Sequence, residues 1–317
     1  MIATPNIVKD LSRLLFWYPC RWFILICPLP VVAWCGRAMG YVDYLFSGGR
    51  RRKRMAVNIS RAMACSPQRA KIIMLHNLQN HLQNNLELIK YPQFNRFTID
   101  RYASLTARHH LDNALAQGKG AILLTAHFGA KQFLQIALGI KAYRINQLNF
   151  HMDGRELTFG QRVAQKQRQR IEERMPVTFV PAKRFLRQAF ECLKRNEILV
   201  IAGDGIGLRR HMDKSYQPHP FLGETMLFPA SAISLAKRTG APVIPVFVIR
   251  EGAGHRICFQ PAMYCHEGQE DLALTTYIGH LEQYIRQYPD HWEFWEEFDQ
   301  ENLLHDQGAN STDVQNS

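Results

Sequence analysis

Apolar residues recur every three or four positions from Met55 to Ile89, through Ile72, Ile73, Leu75, Leu78, Leu82 and Leu86, and that spacing predicts helix. The amides between them, in "HNLQNHLQNN", can line a groove, but an exposed helix face is the simpler expectation. Further on the pattern shortens. "LTARHHLDNALAQGKG" (105–120) reads as a strand end, a helix and a Gly turn. "AILLT" (121–125) is short, apolar and bounded by Gly120, as a buried parallel strand would be. A helix is expected from about Phe128. "VTFVP" (177–181), "ILVIAGD" (198–204), "APVIPVFVIRE" (241–251) and "HRICFQPA" (255–262) read as strands. Between and after them, "FLRQAFECLKRNE" (185–197), "PASAISLAKRTG" (229–240) and "DLALTTYIGHLEQYIRQYPDHW" (271–292) read as helices, the second closed by Gly240 and the third stopped at Pro289. Strands alternating with helices predict an α/β fold: a mixed, mostly parallel central sheet flanked by helices.

The amino terminus departs from this alternation. "LLFWYPCRWFILICPLPVVAWC" (14–35) carries Arg21 as its one charge and holds Trp17, Tyr18, Trp22 and Trp34. Trp and Tyr favour the membrane interface. The uncharged stretch from Trp22 to Cys35 is 14 residues, short of the roughly 20 that a spanning helix needs, and Pro28 and Pro30 interrupt it. A membrane-associated helical segment, re-entrant or interfacial, is expected in preference to a clean span; a buried first helix of a soluble domain is the alternative. The stretch lacks small residues at a plausible cut site, so secretory cleavage is not expected.

Charge sharpens that picture. Lys and Arg number 39 against 27 Asp and Glu, a formal +12 over 317 residues. Such an excess suits nucleic acid, phospholipid headgroups or an acidic carrier protein. Five consecutive cations, Arg50 to Arg54, follow the apolar segment, and beside an anchor each adds roughly 1 kcal/mol of attraction to an anionic leaflet. No helix-turn-helix, finger or aromatic-studded RNA-binding strand accompanies them, so a nucleic-acid partner is not expected. The 7 cysteines include no CxxC. They read as buried thiols of a reducing compartment, not as disulfides or a metal site.

In open α/β sheets, ligands bind at the carboxyl ends of the strands. His127 follows "AILLTA", Asp204 follows "ILVIAG", and Arg250 follows "VIPVFVI". A histidine there can take a proton near neutral pH and act as a general base. With 13 histidines in the chain, position singles His127 out, not residue type. Asp204 could equally cap a loop.

Four stretches carry a resemblance: "GAILLTAHFGAKQ" (120–132), "ILVIAGDGIG" (198–207), "HPFLGETMLFPASAISLAKRTGAPVIPVFVIREGAGH" (219–255) and "LEQYIRQYPDHWEFWEEF" (281–298). Together they resemble the late acyltransferases of lipid A biosynthesis, within the lysophospholipid acyltransferase superfamily, from about Ala33 to Phe298. The third is the most specific, resembling that family's Phe-Phe-Gly loop at Phe221 and Gly223. The resemblance implies transfer of a fatty acyl group from acyl carrier protein or acyl-CoA to a lipid or glycolipid acceptor, at the cytoplasmic face of the inner membrane, without a cofactor. It fits an anchor in residues 1–46 ahead of an acyltransferase domain in 47–300, while the polar residues past Glu301 predict a disordered tail in 301–317. His127 would be the base, backbone amides after it would stabilise the oxyanion, and Asp204 would position substrate. Arg168 and Arg170, in "QKQRQR", could hold phosphate or carrier, though a solvated helix face also explains them.

Two departures stand out. The family's signature is His, four residues, then Asp or Glu; here the last position is Gln132. An amide can fix the tautomer of His127 but cannot supply charge to an imidazolium. Either another carboxylate (Asp153, Asp204 or Glu224) substitutes in space, or the acceptor is a better nucleophile such as an amine, or the chain binds lipid or carrier without catalysis. The carboxyl-terminal "FWEEF" also places Glu296 and Glu297 where the family commonly has a His-Arg-Arg cluster, which suggests a different acceptor or carrier contact.

Overall fold

Pro28 divides the amino-terminal helices. The computed structural model describes residues 7–149, 157–181, 185–205 and 216–298. Helices α1 (Ile7–Leu15) and α2 (Arg21–Ile26) are joined by a π-helical turn at Phe16–Cys20. The chain then breaks at Cys27 and Pro28, whose extended backbone starts α3 (Leu29–Phe46). The sequence's single helical stretch from Met55 to Ile89 proves to be two helices, α4 (Gly49–Ala62) and α5 (Pro67–Lys90). The break between them is set by Ser66, which caps α5 by accepting from the Arg69 amide, with Pro67 in the first turn. Gly36 and Gly40 of α3 let its backbone lie directly on α5: a Cβ at either would come within 2.6 Å of the Gln83 or 2.4 Å of the Gln79 main chain.

Beyond this layer come β1 (Ala103–Thr106), α6 (His109–Leu115), β2 (Ala121–Thr125), α7 (Lys131–Ile140), β3 (Ile145–Asn149) and α8 (Phe159–Glu172). They are followed by β4 (Thr178–Pro181), α9 (Phe185–Lys194), β5 (Ile198–Ala202), the hairpin β6 (Tyr216–Phe221) and β7 (Glu224–Pro229), and α10 (Ser231–Thr239). The last are β8 (Val243–Glu251), β9 (Gly254–Phe259) and α11 (Glu270–Gln287). The sheet order is β1-β9-β8-β2-β5-β3-β4, parallel throughout except where β8 meets β9. The predicted mixed, mostly parallel α/β sheet is therefore present, with β2 at its centre.

Alternating side chains of the central strands feed two cores. Ile122, Leu124, Leu199, Val243 and Phe247 face one layer with α9, α10 and α11. Ala121, Leu123, Ile198, Val200, Ile244 and Val246 face the other, with α6 and α7. Both faces are thus buried, which is why these strands read as continuous apolar runs. Strand β3, "INQLN", is too polar to announce itself. The β6–β7 hairpin was likewise unforeseen; its turn uses positive φ at Leu222 and Gly223.

Among the described residues no helix is long and apolar enough to cross a membrane. Residues 301–317, expected as a tail, lie outside the described residues, as does Asp153.

Candidate active site

Strands β2 and β5 pair in register from Ala121↔Ile198 to Thr125↔Ala202. The Gly203 amide extends the ladder by donating to the Thr125 carbonyl at 2.8 Å. Two residues past these points, His127 and Asp204 meet. The His127 main-chain amide donates to Asp204 Oδ2 at 2.7 Å, and its ring Nδ1 lies 2.8 Å from Oδ1. A carboxylate only accepts, so Nδ1 carries a proton, and in the neutral ring the lone pair is then on Nε2. Nε2 has no hydrogen-bond partner among the described residues, and the His127 side chain is 28% exposed whereas Asp204 is 0% exposed.

Burial opposes the charge on Asp204. The His127 ring, the His127 amide and the Lys131 ammonium outweigh it and hold the carboxyl below the ordinary carboxylate range. Trp292 Nε1 also points at Oδ2, at 3.3 Å.

A carboxyl-terminal segment walls the site. Phe128 and Trp292 form an antiparallel bridge. Around it, Gly129 N donates to His291 O at 2.8 Å and Glu293 N donates to His127 O at 2.8 Å. Phe294 lays its ring 4.5 Å from that of His127, centroid to centroid. Gly129 is required here: its φ is +57°, and a Cβ would stand 1.9 Å from the Val248 carbonyl oxygen.

The amides of α5 turn out not to form an exposed face. Asn77 donates to the carbonyls of Asp290 and Trp292, Asn80 to Asp290, Asn84 to Gly129 and Gln83 to Ala33. Asn77, Asn80 and Asn84 clamp the main chain on which the site is built, and Gln83 ties α5 to α3.

Gln132 does not orient His127; Asp204 takes that place. Glu224, another possible substitute, is paired with Arg61 at 2.9 Å. Gln132 instead lines a cleft of about 140 Å³ together with His81, Asn84, Lys131, Arg168 and Glu293. Lys131 reaches Glu293 Oε2 at 3.1 Å. Arg168 is within reach of that cleft and also pairs with Glu172 at 3.1 Å, whereas Arg170 lies exposed on α8.

Arg250 is not free for substrate. Its guanidinium forks onto Glu87 and Asn84, and Glu87 also takes His255 Nε2 at 3.0 Å. Although burial opposes it, Arg250 and His255 keep the Glu87 carboxyl below its usual range. Burial lowers the pKa of His255, whose Nδ1 has no hydrogen-bond partner among the described residues. The Arg250 amide donates to His291 Nε2 at 3.0 Å, which leaves the His291 proton on Nδ1, facing Asp290. This network braces the 289–293 segment from below. Phe221 is likewise core, packed at 5.5 Å from Trp292 and 6.1 Å from Phe298, while Gly223 sits at the hairpin tip. Sequence reasoning missed Trp292, Glu293 and Phe294 as parts of the site; the one hint was their density of aromatic residues.

The two charge anomalies of the sequence explain each other. Glu296 accepts from Arg51 Nε at 2.8 Å and also from Arg54, so the "FWEEF" acid neutralises part of the basic run. Arg52 turns inward to the Tyr44 carbonyl at 3.2 Å.

No curated protein is similar enough to this chain to count as a match. The family described as bacterial lipid A biosynthesis acyltransferase matches residues 11–296. That span takes in the amino-terminal helices, the sheet, the His127–Asp204 pair and the segment that walls it, and the chain therefore belongs to the bacterial lipid A biosynthesis acyltransferase family, whose members are transferases of acyl groups to lipid acceptors.

Proposed function

We propose that this chain transfers a fatty acyl group from a thioester donor, acyl carrier protein or acyl-CoA, to a hydroxyl or amine of a lipid or glycolipid, with His127 as general base. The contact of 2.8 Å between His127 Nδ1 and the buried Asp204 carries this reading, because it selects the tautomer of the neutral ring whose lone pair is on Nε2, on a side chain that is partly exposed. Nε2 takes the acceptor's proton as its oxygen or nitrogen attacks the thioester carbonyl. The tetrahedral intermediate collapses by breaking the C–S bond, and the imidazolium returns the proton to the departing thiolate. Gly129 N is engaged by His291, so the oxyanion falls to the amides of Ala130, Lys131 and Gln132 at the start of α7, where first-turn N–H groups lack intrahelical acceptors. Arg168, which lines the cleft beside Gln132, supplies positive charge for a polar head there.

The amide at position 132 was the ground for a binder without catalysis. Asp204 at the ring supports the enzyme instead, since the imidazolium has a carboxylate after all.

The site of action is the cytoplasmic face of the inner membrane, reached by a peripheral anchor. Along α2 and α3, Trp22 is 62% exposed, Ile26 83% and Phe46 83%. A groove of about 700 Å³, lined by Tyr44 near the end of α3 and by Lys53 and Lys71, suits an anionic leaflet.

The test is transfer of a radiolabelled acyl group from carrier protein and from coenzyme A into a bacterial lipid extract. Transfer that His127→Ala abolishes supports the proposal. Absence of transfer by the unaltered protein from every donor refutes it.

A further inference from the structure

We infer that Glu293 supplies the second carboxylate of the His127 site, standing in from the carboxyl-terminal segment for the acid that position 132 of α7 lacks. The inference rests on the acyl-transfer reading above. Its geometry is direct. The Phe128–Trp292 bridge runs the 291–294 segment alongside His127, and Glu293 N is hydrogen-bonded to His127 O. The Glu293 side chain then turns to Lys131, one position before Gln132, and lines the same cleft as Gln132.

Proton transfer explains the need. When His127 takes a proton the site gains a positive charge. Asp204, after β5, balances it from below. Lys131 on α7 and Arg168 on α8 line the same cleft, with His81 of α5 beside them, and the two cations oppose it. An uncompensated Lys131 beside an imidazolium in a partly buried site would discourage protonation. Glu293 removes that repulsion by pairing with Lys131. Burial works against the Glu293 charge, but Lys131, His127 and His81 outweigh it and hold the carboxyl below its usual range. Glu293 touches no reacting atom; it acts through Lys131 and His127, as a positioning residue.

The experiment moves the carboxylate. Glu293→Gln, Gln132→Glu and the double variant are compared with the unaltered full-length protein in two ways. The first is the NMR titration of the His127 ring, labelled with ¹³C at Cε1 and assigned with His127→Ala. The second is acyl transfer. Glu293→Gln is expected to lower the His127 midpoint by roughly half to one pH unit. It should lower kcat by about 10- to 100-fold with KM for the thioester little changed, on the scale of general-base effects. The double variant should recover both to within about threefold, and Gln132→Glu alone should gain nothing. Should Glu293→Gln fail to fold, Lys131→Gln gives the converse reading: removing the cation raises the His127 midpoint. An unmoved midpoint in these variants, or a double variant no better than Glu293→Gln, overturns the inference. The titration needs no turnover, so absence of any transfer would sink the acyl-transfer reading and leave the midpoint to decide the placement of Glu293.

Discussion

Asp204 grips His127 twice, with one oxygen on the main-chain amide at 2.7 Å and the other on ring Nδ1 at 2.8 Å. The carboxylate thus fixes where the residue sits and how its ring is turned. Asp204→Asn retains an oxygen for one of these contacts only. The amide's NH₂ must face the ring or the main chain, and facing the ring it selects the wrong tautomer. The expected cost is about 10⁴ in kcat, the scale of the same change in the serine-protease triad, measured as initial rates of acyl transfer with the fold checked by circular dichroism. A loss below about tenfold would show that Asp204 is not the partner that matters.

Arg250→Met strands the Glu87 carboxylate in the core and should destabilise the protein by about 3–5 kcal/mol. Adding Glu87→Gln removes the stranded charge. The double variant should therefore be more stable than Arg250→Met alone, which a urea-denaturation cycle will read. Additive losses would mean that the buried pair is not coupled as its geometry demands.

Acid lowers stability in two steps. His255 is held neutral in the fold, chiefly by burial, with its pKa below the ordinary value of 6.5. An unfolded chain binds that proton first, so stability is lost as pH falls from about 6.5 toward the folded value. Glu87, Asp204, Asp290 and Glu293 are depressed carboxylates. Their contribution is intact above the ordinary range near pH 4 and is lost as pH falls through their folded values. Unfolding free energies measured from pH 8 to pH 3 should show both steps, and His255→Gln should shrink the first, which burial of His110 and His280 also feeds, without changing the second.

Trp22→Ser, Ile26→Ser and Phe46→Ser together should release the protein from vesicles of anionic phospholipid without lowering its Tm, since all three side chains are exposed. Lys53→Gln and Lys71→Gln should each weaken the same binding by about fivefold at low salt, on the scale of roughly 1 kcal/mol per cation near the surface. Vesicle co-sedimentation at two salt concentrations checks both. Binding unaffected by either set would place the membrane contact elsewhere.

What the sequence determined alone was local. "AILLT", "ILVIA" and "VIPVFVI" are apolar along their whole length because both faces of the sheet are covered, and that pattern predicts strands without any knowledge of their neighbours. It also placed His127 and Asp204 at strand ends, and put Pro28 at the break between α2 and α3. Tertiary structure decided who meets whom. Asp204 reaches His127 across 77 positions only because β5 lies beside β2 in that register, and a composition-blind spacing rule favoured Gln132, the nearer residue. Glu293 came to the site through a single bridge between Phe128 and Trp292. The amides of α5 read as solvent-facing because polar residues usually are; here they are spent on carbonyls of the 290–292 segment and of Gly129. Periodicity reports which way a side chain points from its own element, whereas sheet order and register set what it finds there.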